Sequence, residues 1–321
     1  MYSYYLTPSA RQDLKDIRAY IRDTLAAPES AKALMRAFQA VFEKAIALMG
    51  SQSCECSFVN LFAYQEPYDL VYAPLAGRLV VCERANRILH YPIGEWTPPE
   101  LLKEINDAFV DAGLTDGGIY DVPEEFLDRH NDCDRYFEIE FDEGAIDYLF
   151  SVEKVATFVG PKLRKKHNLV KQFQANWPYA SVHRIAGDEI AVAAKLATEL
   201  NSRLEPCEFL EEEAKALERA WANFERLKLD GIILYAEPDF PAGFSVFSML
   251  PAGTVDIHFE KADHSVKGAS QTLTWQLAIA LRGRATFMNR EQDMNEETLR
   301  HAKRSLDPER FFKRYFLRGL R

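Results

Sequence analysis

Apolar positions along the chain fall into helical stripes separated by short alternating runs. Tyr2 to Leu6 alternates as a strand, and Thr7-Pro8 supplies a cap and a first-turn proline for a helix from Ser9 to about Leu25. Pro28-Glu29 opens a second helix to Met49, with Leu34, Phe38, Phe42 and Ile46 at every fourth position, and Gly50 ends it. Ser57 to Tyr64 reads as a short apolar helix, and Leu70 to Tyr72 with Arg78 to Arg84 as a hairpin turning at Leu75-Ala76-Gly77. Glu100 to Ala112 is an amphipathic helix. Ile119 to Val122 and Tyr136 to Phe141 are strands on either side of a helical turn, Pro123 to Arg129.

A new unit begins near Phe150. Its first helix, Gly160 to Trp177, has Leu163, Val170 and Phe173 on one face and Lys162, Arg164, Lys165, Lys166 and Lys171 on the flanks. Strand Ala180 to Ile185, helices Glu189 to Leu200 and Leu210 to Lys228, and strands Gly231 to Tyr235, Gly243 to Leu250 and Val255 to Phe259 follow. Helix Ser270 to Leu281, strand Arg284 to Met288 and helix Glu296 to Ser305 close the pattern. The predicted organisation is residues 1–50 as a strand plus helical hairpin, 51–150 as a first α/β domain and 151–321 as a second.

Composition narrows the function classes. A net charge of -10 speaks against a uniform nucleic-acid surface, but the charge is uneven. Glu95 to Asp147 holds 17 acidic residues against Lys103, Arg129 and Arg135, whereas Arg300 to Arg321 holds eight basic residues against Asp307 and Glu309. Basic patches are therefore a second-half property. No window approaches the roughly 18 apolar residues of a spanning helix, and the amino terminus lacks a signal-peptide layout, so a cytoplasmic protein is expected. Five cysteines, an odd number, argue for reduced thiols. Cys54 and Cys56 form a C-x-C pair without a second pair, so no metal site is expected there.

Three phrases carry a family resemblance. GPKLRKKHNLVKQF (Gly160 to Phe173), IHFEKAD (Ile257 to Asp263) and MNREQDM followed by LRHAK (Met288 to Lys303) resemble the signature segments of the phosphatidylglycerol lysyltransferase C-terminal family. CSFVNLFAYQEPYDLVYA (Cys56 to Ala73) looks like that family's early helix and strand, so the resemblance covers roughly 51 to 321. It implies a bacterial-type protein with two tandem acyltransferase-type (GNAT) domains of mixed α/β structure, which the element order of the second unit matches. It further implies transfer of an amino acid from aminoacyl-tRNA to an amine or hydroxyl of a small molecule, peptide or lipid headgroup, with no tightly bound cofactor. Lipid-modifying relatives carry a membrane region, which has no counterpart here. An acyl-CoA-dependent N-acyltransferase and a non-catalytic binding or regulatory module are the alternatives.

In a GNAT unit the wedge beyond the fourth strand receives the donor, and here that strand ends in His258, Glu260, Lys261 and Asp263. Glu260 is the acid/base candidate, because a carboxylate at the mouth of a half-buried wedge can be tuned towards neutral pH; the bland reading is a solvated strand end paired with Lys261. Asn289, with Arg290, Glu291 and Asp293, stands at the opposite lip, either as a catalytic and substrate-holding group or as a strand-to-helix cap. Lys267 and Gly268 precede a helix N-terminus that would favour an anion. Lys162, Lys165, Lys166 and Asn168 form either a phosphate-binding helix face or an ordinary solvated one. The second unit is expected to carry the site and the first to act as scaffold.

Residues 1 to 50 resemble instead the first strand and helical hairpin of a RelE/ParE-type toxin. The resemblance ends near Gly50, before the strands that carry the toxins' functional residues. The segment reads either as a fused fragment or as a diverged start of the first GNAT unit, in a packing role.

Overall fold

The structure, a computed structural model, describes residues 31–75 and 77–320. The strand and first helix expected before residue 31, and with them most of the toxin-like segment, lie outside the described residues. In chain order the helices are α1 (Ala31–Met49), α2 (Phe58–Ala63), α3 (Pro99–Asp111), α4 (Glu124–Arg129), α5 (Val152–Thr157), α6 (Arg164–Asn176), α7 (Asp188–Asn201), α8 (Glu208–Ala222), α9 (Ala269–Leu281) and α10 (Glu297–Arg304). The strands are β1 (Leu70–Leu75), β2 (Arg78–Glu83), β3 (Ile88–His90), β4 (Ile93–Gly94), β5 (Gly118–Pro123), β6 (Phe137–Phe141), β7 (Asp147–Ser151), β8 (Ser181–Arg184), β9 (Asp230–Glu237), β10 (Phe240–Leu250), β11 (Thr254–Ala262), β12 (Phe287–Asn289), β13 (Arg310–Phe312) and β14 (Arg314–Gly319).

The chain divides into two compact units. Unit 1 comprises residues 1–51, 65–145 and 313–321, and unit 2 comprises 52–64 and 146–312. A single cut near residue 150 differs from this division in two segments: Gln52–Tyr64 belongs to unit 2 and Lys313–Arg321 to unit 1. The second exchange has a visible cause. Arg310 to Gly319, which carries no clear alternation, forms two strands, and β14 pairs antiparallel with β5 and β6 in the first sheet while β13 pairs with β7 in the second.

The sheet of unit 1 has the order β1-β2-β3-β5-β14-β6, with β4 on β2; β3 and β5 are parallel and the other pairs antiparallel. Leu102, Ile105 and Phe109 form the stripe that α3 buries against Leu89, Ile119, Val122 and Leu317. From α1, Phe42 and Ile46 of the expected stripe are buried.

Unit 2 has the order β13-β7-β12-β11-β10-β9-β8. Along the chain it runs β8-α7-α8-β9-β10-β11-α9-β12-α10, with β9, β10 and β11 antiparallel and β11–β12 parallel. Its core joins Phe173 of α6 and Leu273, Leu277 and Leu281 of α9 to Val255, Ile257 and Met288. The helix expected to reach Lys228 stops at Ala222, and the strand expected from Arg284 begins at Phe287.

Two irregularities shape the second sheet. β11 pairs with β12 only over Thr254–Asp256 and Phe287–Asn289, after which β11 runs on to Ala262. Beyond Asn289 the chain stays with β7 instead: the Arg290 amide donates to the Tyr148 carbonyl at 3.0 Å and the Tyr148 amide to the Glu291 carbonyl at 3.3 Å. A wedge therefore opens between β11 and β12. The second irregularity is a bulge, for Phe247 opposes Ile257 and Val246 opposes Phe259, leaving His258 as the extra residue. A bulge shifts the side-chain alternation by one. Val255 and Ile257 pack with α9, and after the bulge Glu260 also reaches α9, through Thr274.

Candidate functional site

Glu260 projects into the wedge and is held by neighbours from two elements. Arg290, just past β12, donates from Nη2 to Glu260 Oε1 at 2.7 Å and from Nη1 to the Thr274 hydroxyl at 3.0 Å, and that hydroxyl lies 3.1 Å from the same Oε1. The second oxygen, Oε2, is enclosed and has no hydrogen-bond partner. The partner is thus Arg290; Lys261 pairs instead with Glu213 at 2.6 Å. Lys166, half-buried on α6, adds a second cation: burial and, after it, the Arg290 charge push its ammonium below the usual lysine range. Among the described residues no carboxylate neutralises Lys166, so this lip of the wedge favours an incoming anion.

The other candidates fall into three groups. On the opposite face of β11, His258 is enclosed between Ser248 (2.8 Å to Nε2) and Asn60 of α2 (2.8 Å to Nδ1), with Asp256 at 3.5 Å and Glu291 at 3.8 Å. Asp256, His258 and Glu291 come close enough to share a cation, although Asn60 and Ser248 already occupy both ring nitrogens of the histidine.

The second group is the NREQD turn itself, folded into its own scaffold. Asn289 is buried, donating to the Gln52 carbonyl and to Asp147 at 2.9 Å each while accepting from the Glu291 amide at 2.7 Å. Asp293, fully buried, receives two bonds from Arg300 (2.8 and 2.9 Å) and one from the Tyr148 hydroxyl at 2.6 Å. Burial alone would raise its pKa, and these bonds outweigh it to hold the carboxyl below the usual range. The phrases NREQD and LRHAK are thus one device, Arg300 clamping Asp293. Lys303 of the same helix donates to the Gln292 carbonyl, and burial, opposed by Glu291, lowers its pKa to about 8.

The third group is spread over the surface and the packing of α9. Lys165, Asn168 and Lys267 are exposed, and Lys162 pairs with Asp307 at 2.9 Å. Asp263 is buried and bound by Arg203 at 2.7 Å and by Ser265. Gly268 has a left-handed backbone (φ +84°), and a Cβ there would meet the Leu169 carbonyl oxygen at 2.5 Å. Its lack of a side chain serves the contact of α9 with α6.

The structure brings Glu260, Arg290 and Lys166 to one place, His258 and Glu291 to another, and leaves Lys261, Asp263, Lys162 and Lys267 at neither. Sequence reasoning missed Thr274, Asn60, Ser248, Asp147, Asp256 and Lys303. Lys303 lies in the family-like phrase LRHAK and Asn60 in CSFVNLFAYQEPYDLVYA; the others are unremarkable until strand register and packing bring them in.

The parallel pair that parts, the bulge in one of its two strands and the helix between them define an acyltransferase-type (GNAT) α/β unit, and unit 1 has the corresponding parallel pair β3–β5 joined through α3. The chain belongs to the phosphatidylglycerol lysyltransferase C-terminal family, whose model matches residues 46–318. Among solved structures it resembles a conserved protein of unknown function from Bacteroides thetaiotaomicron, with 24% identity, 89% of this chain and 97% of that one covered and a TM-score of 0.79. L-PGS from Bacillus licheniformis has the same fold, with 13% identity, 81% and 90% covered and a TM-score of 0.56. No curated protein matches the sequence. Among the described residues no helix is long and apolar enough to cross a membrane.

Proposed function

We propose that the protein transfers an aminoacyl group from a charged tRNA to an amine or hydroxyl acceptor, in the wedge of unit 2. The observation that carries this reading is Glu260, with Oε1 fixed by Arg290 and Thr274 and Oε2 enclosed without a partner where the two parallel strands part. An aminoacyl ester is already activated, so orientation, charge stabilisation and one proton acceptor suffice. The acceptor attacks the ester carbonyl and Glu260 Oε2 takes its proton. The bond from the carbonyl carbon to the ribose oxygen breaks, and the same carboxyl returns the proton to that oxygen. Asn289, wholly engaged in holding Asp147 and the turn, is a positioning residue in this scheme.

Two observations favour a polynucleotide donor over acyl-CoA. Gly268 is needed for packing of α9 on α6, so the helix start has no spare glycine to let a pyrophosphate approach. Positive charge also accumulates at this lip, with Lys166 and Arg290 inside and Lys165, next to Lys166 on α6, at the surface. Unit 1 differs: in its cleft of about 510 Å³, Arg87, Arg314 and Arg318 are engaged by Asp116, Asp121 and Glu140. A donor screen tests the reading. Purified protein should discharge a subset of charged tRNAs in an acceptor-dependent way and leave acetyl-CoA intact; turnover of acetyl-CoA with charged tRNA untouched would reverse it.

A further inference from the structure

The polar cluster on the other face of β11 has a chemistry that the wedge does not use. Asn60 fixes its proton positions. Its Nδ2 donates to two groups that can only accept, Glu291 Oε1 at 2.9 Å and the Cys54 carbonyl at 3.2 Å, so its Oδ1 is the atom that faces His258. His258 Nδ1 must then carry a proton and donate it to Asn60 at 2.8 Å. In the neutral ring Nε2 keeps its lone pair, which points at the Ser248 hydroxyl at 2.8 Å. A carboxylate stands behind the ring, with Asp256 Oδ2 3.5 Å from Nδ1 and both side chains fully enclosed.

We propose that Ser248 is an activated nucleophile for acyl esters, with His258 as its general base and Asn60 and Asp256 as positioning residues. The arrangement meets the requirements for nucleophilic catalysis: a hydroxyl hydrogen-bonded to a base, a second group holding the base in the needed tautomer, and an anion to stabilise the imidazolium. The fold supplies the placement. Ser248 and Asp256 are cross-strand partners on β10 and β11, and the bulge after Ile257 sets His258 out of the regular ladder. Ser248 is half-buried, whereas His258 and Asp256 are buried, so it is more open to solvent than the base and the carboxylate behind it.

In the reaction the Ser248 proton passes to His258 Nε2 as Oγ bonds to the acyl carbon. The ester's carbon–oxygen bond breaks and the departing oxygen leaves either as an alcohol, protonated by His258, or as a stable phenolate, in which case His258 gives its proton to solvent; either way Nε2 is free again. Water or an amine then attacks the acyl-serine, gives its proton to His258 and releases Ser248, which regains it. This activity is separate from transfer through Glu260, since the cluster reaches neither Glu260 nor Arg290 by any of these contacts.

The probe is p-nitrophenyl acetate with the full-length protein. Wild type should release p-nitrophenolate and gain one acetyl group, mapped to Ser248 by peptide mass spectrometry. Ser248→Ala should lose that adduct, and His258→Gln should slow its formation by at least about 100-fold. Ser248→Cys places a thiol beside the same imidazole, and iodoacetamide should alkylate it faster than the exposed Cys207. This comparison stands even where His258→Gln does not fold. An adduct absent from Ser248 in wild type, acetylation of His258→Gln at the wild-type rate, or an introduced thiol that reacts no faster than Cys207 overturns the proposal. Because no tRNA is involved, failure of the transferase reading leaves each of these results interpretable.

Discussion

Arg290, just past β12, and Glu260, on β11, stand where the two strands have stopped hydrogen-bonding to each other, and their 2.7 Å ion pair spans the gap. Both side chains are largely buried, 17% and 11% exposed, so each depends on the other for compensation. Arg290→Met should cost about 3–5 kcal/mol, the usual penalty for leaving one partner of a buried pair. Glu260→Gln, which leaves a neutral acceptor for the guanidinium, should cost clearly less. Urea denaturation of the two variants checks the order, and equal destabilisation would contradict it.

Lys303 makes a pH prediction. With its folded pKa near 8, and that of the unfolded chain near the ordinary 10.5, the unfolded state binds more protons between these values. This group therefore makes stability rise as pH increases from about 8 to about 10.5. Lys303→Met should remove that slope and be more stable than wild type at pH 7. Urea midpoints measured across this range decide it, and an unchanged slope in the variant contradicts the assignment.

His90 in unit 1 has the opposite sign. Burial would lower its pKa, but hydrogen bonds to Asp121 and to Glu83 at 2.9 Å outweigh this and raise it well above the usual value. Its contribution is fully present below the unfolded value of about 6.5 and is lost as pH rises through the folded one. The stability deficit of His90→Gln should accordingly be largest near pH 6 and shrink under alkaline conditions. Thermal melts over pH 6 to 10 test this; a deficit that grows with pH would refute it.

How far the sequence revealed this arrangement depends on range. The stripe Leu102, Ile105, Phe109 and the alternation of β9 to β11 are local signals, and both survive into the cores. Glu260 and Arg290 were legible as candidates because they lie in phrases dense in polar residues at strand ends. Their pairing was not legible, since a one-residue bulge at His258 decides which face Glu260 takes and no local pattern announces a bulge. Nor were Asn60 and Ser248, which meet His258 across 198 and 10 residues of chain. β14 went unseen because its apolar and basic residues interleave irregularly, and its partners β5 and β6 lie far back in sequence.

The basic lip predicts a salt-dependent interaction. Charge reversal at Lys165 and Lys166 should weaken binding of charged tRNA and flatten the slope of log affinity against log salt by about 0.7–0.9 for each phosphate that is no longer neutralised. Neutralising Asp132 and Asp134 in unit 1 should leave that slope nearly unchanged. Filter binding at several salt concentrations separates the pairs, and matching behaviour would argue against a donor site in unit 2.

The role of Glu260 as proton acceptor is decided by single-turnover aminoacyl transfer from charged tRNA, compared between wild type and Glu260→Gln. The variant keeps the size of the side chain and an acceptor for Arg290 but loses the proton acceptor and its negative charge. Its tRNA binding should not weaken and its transfer rate should fall by about 10²- to 10⁴-fold. Transfer at the wild-type rate by Glu260→Gln would contradict that role.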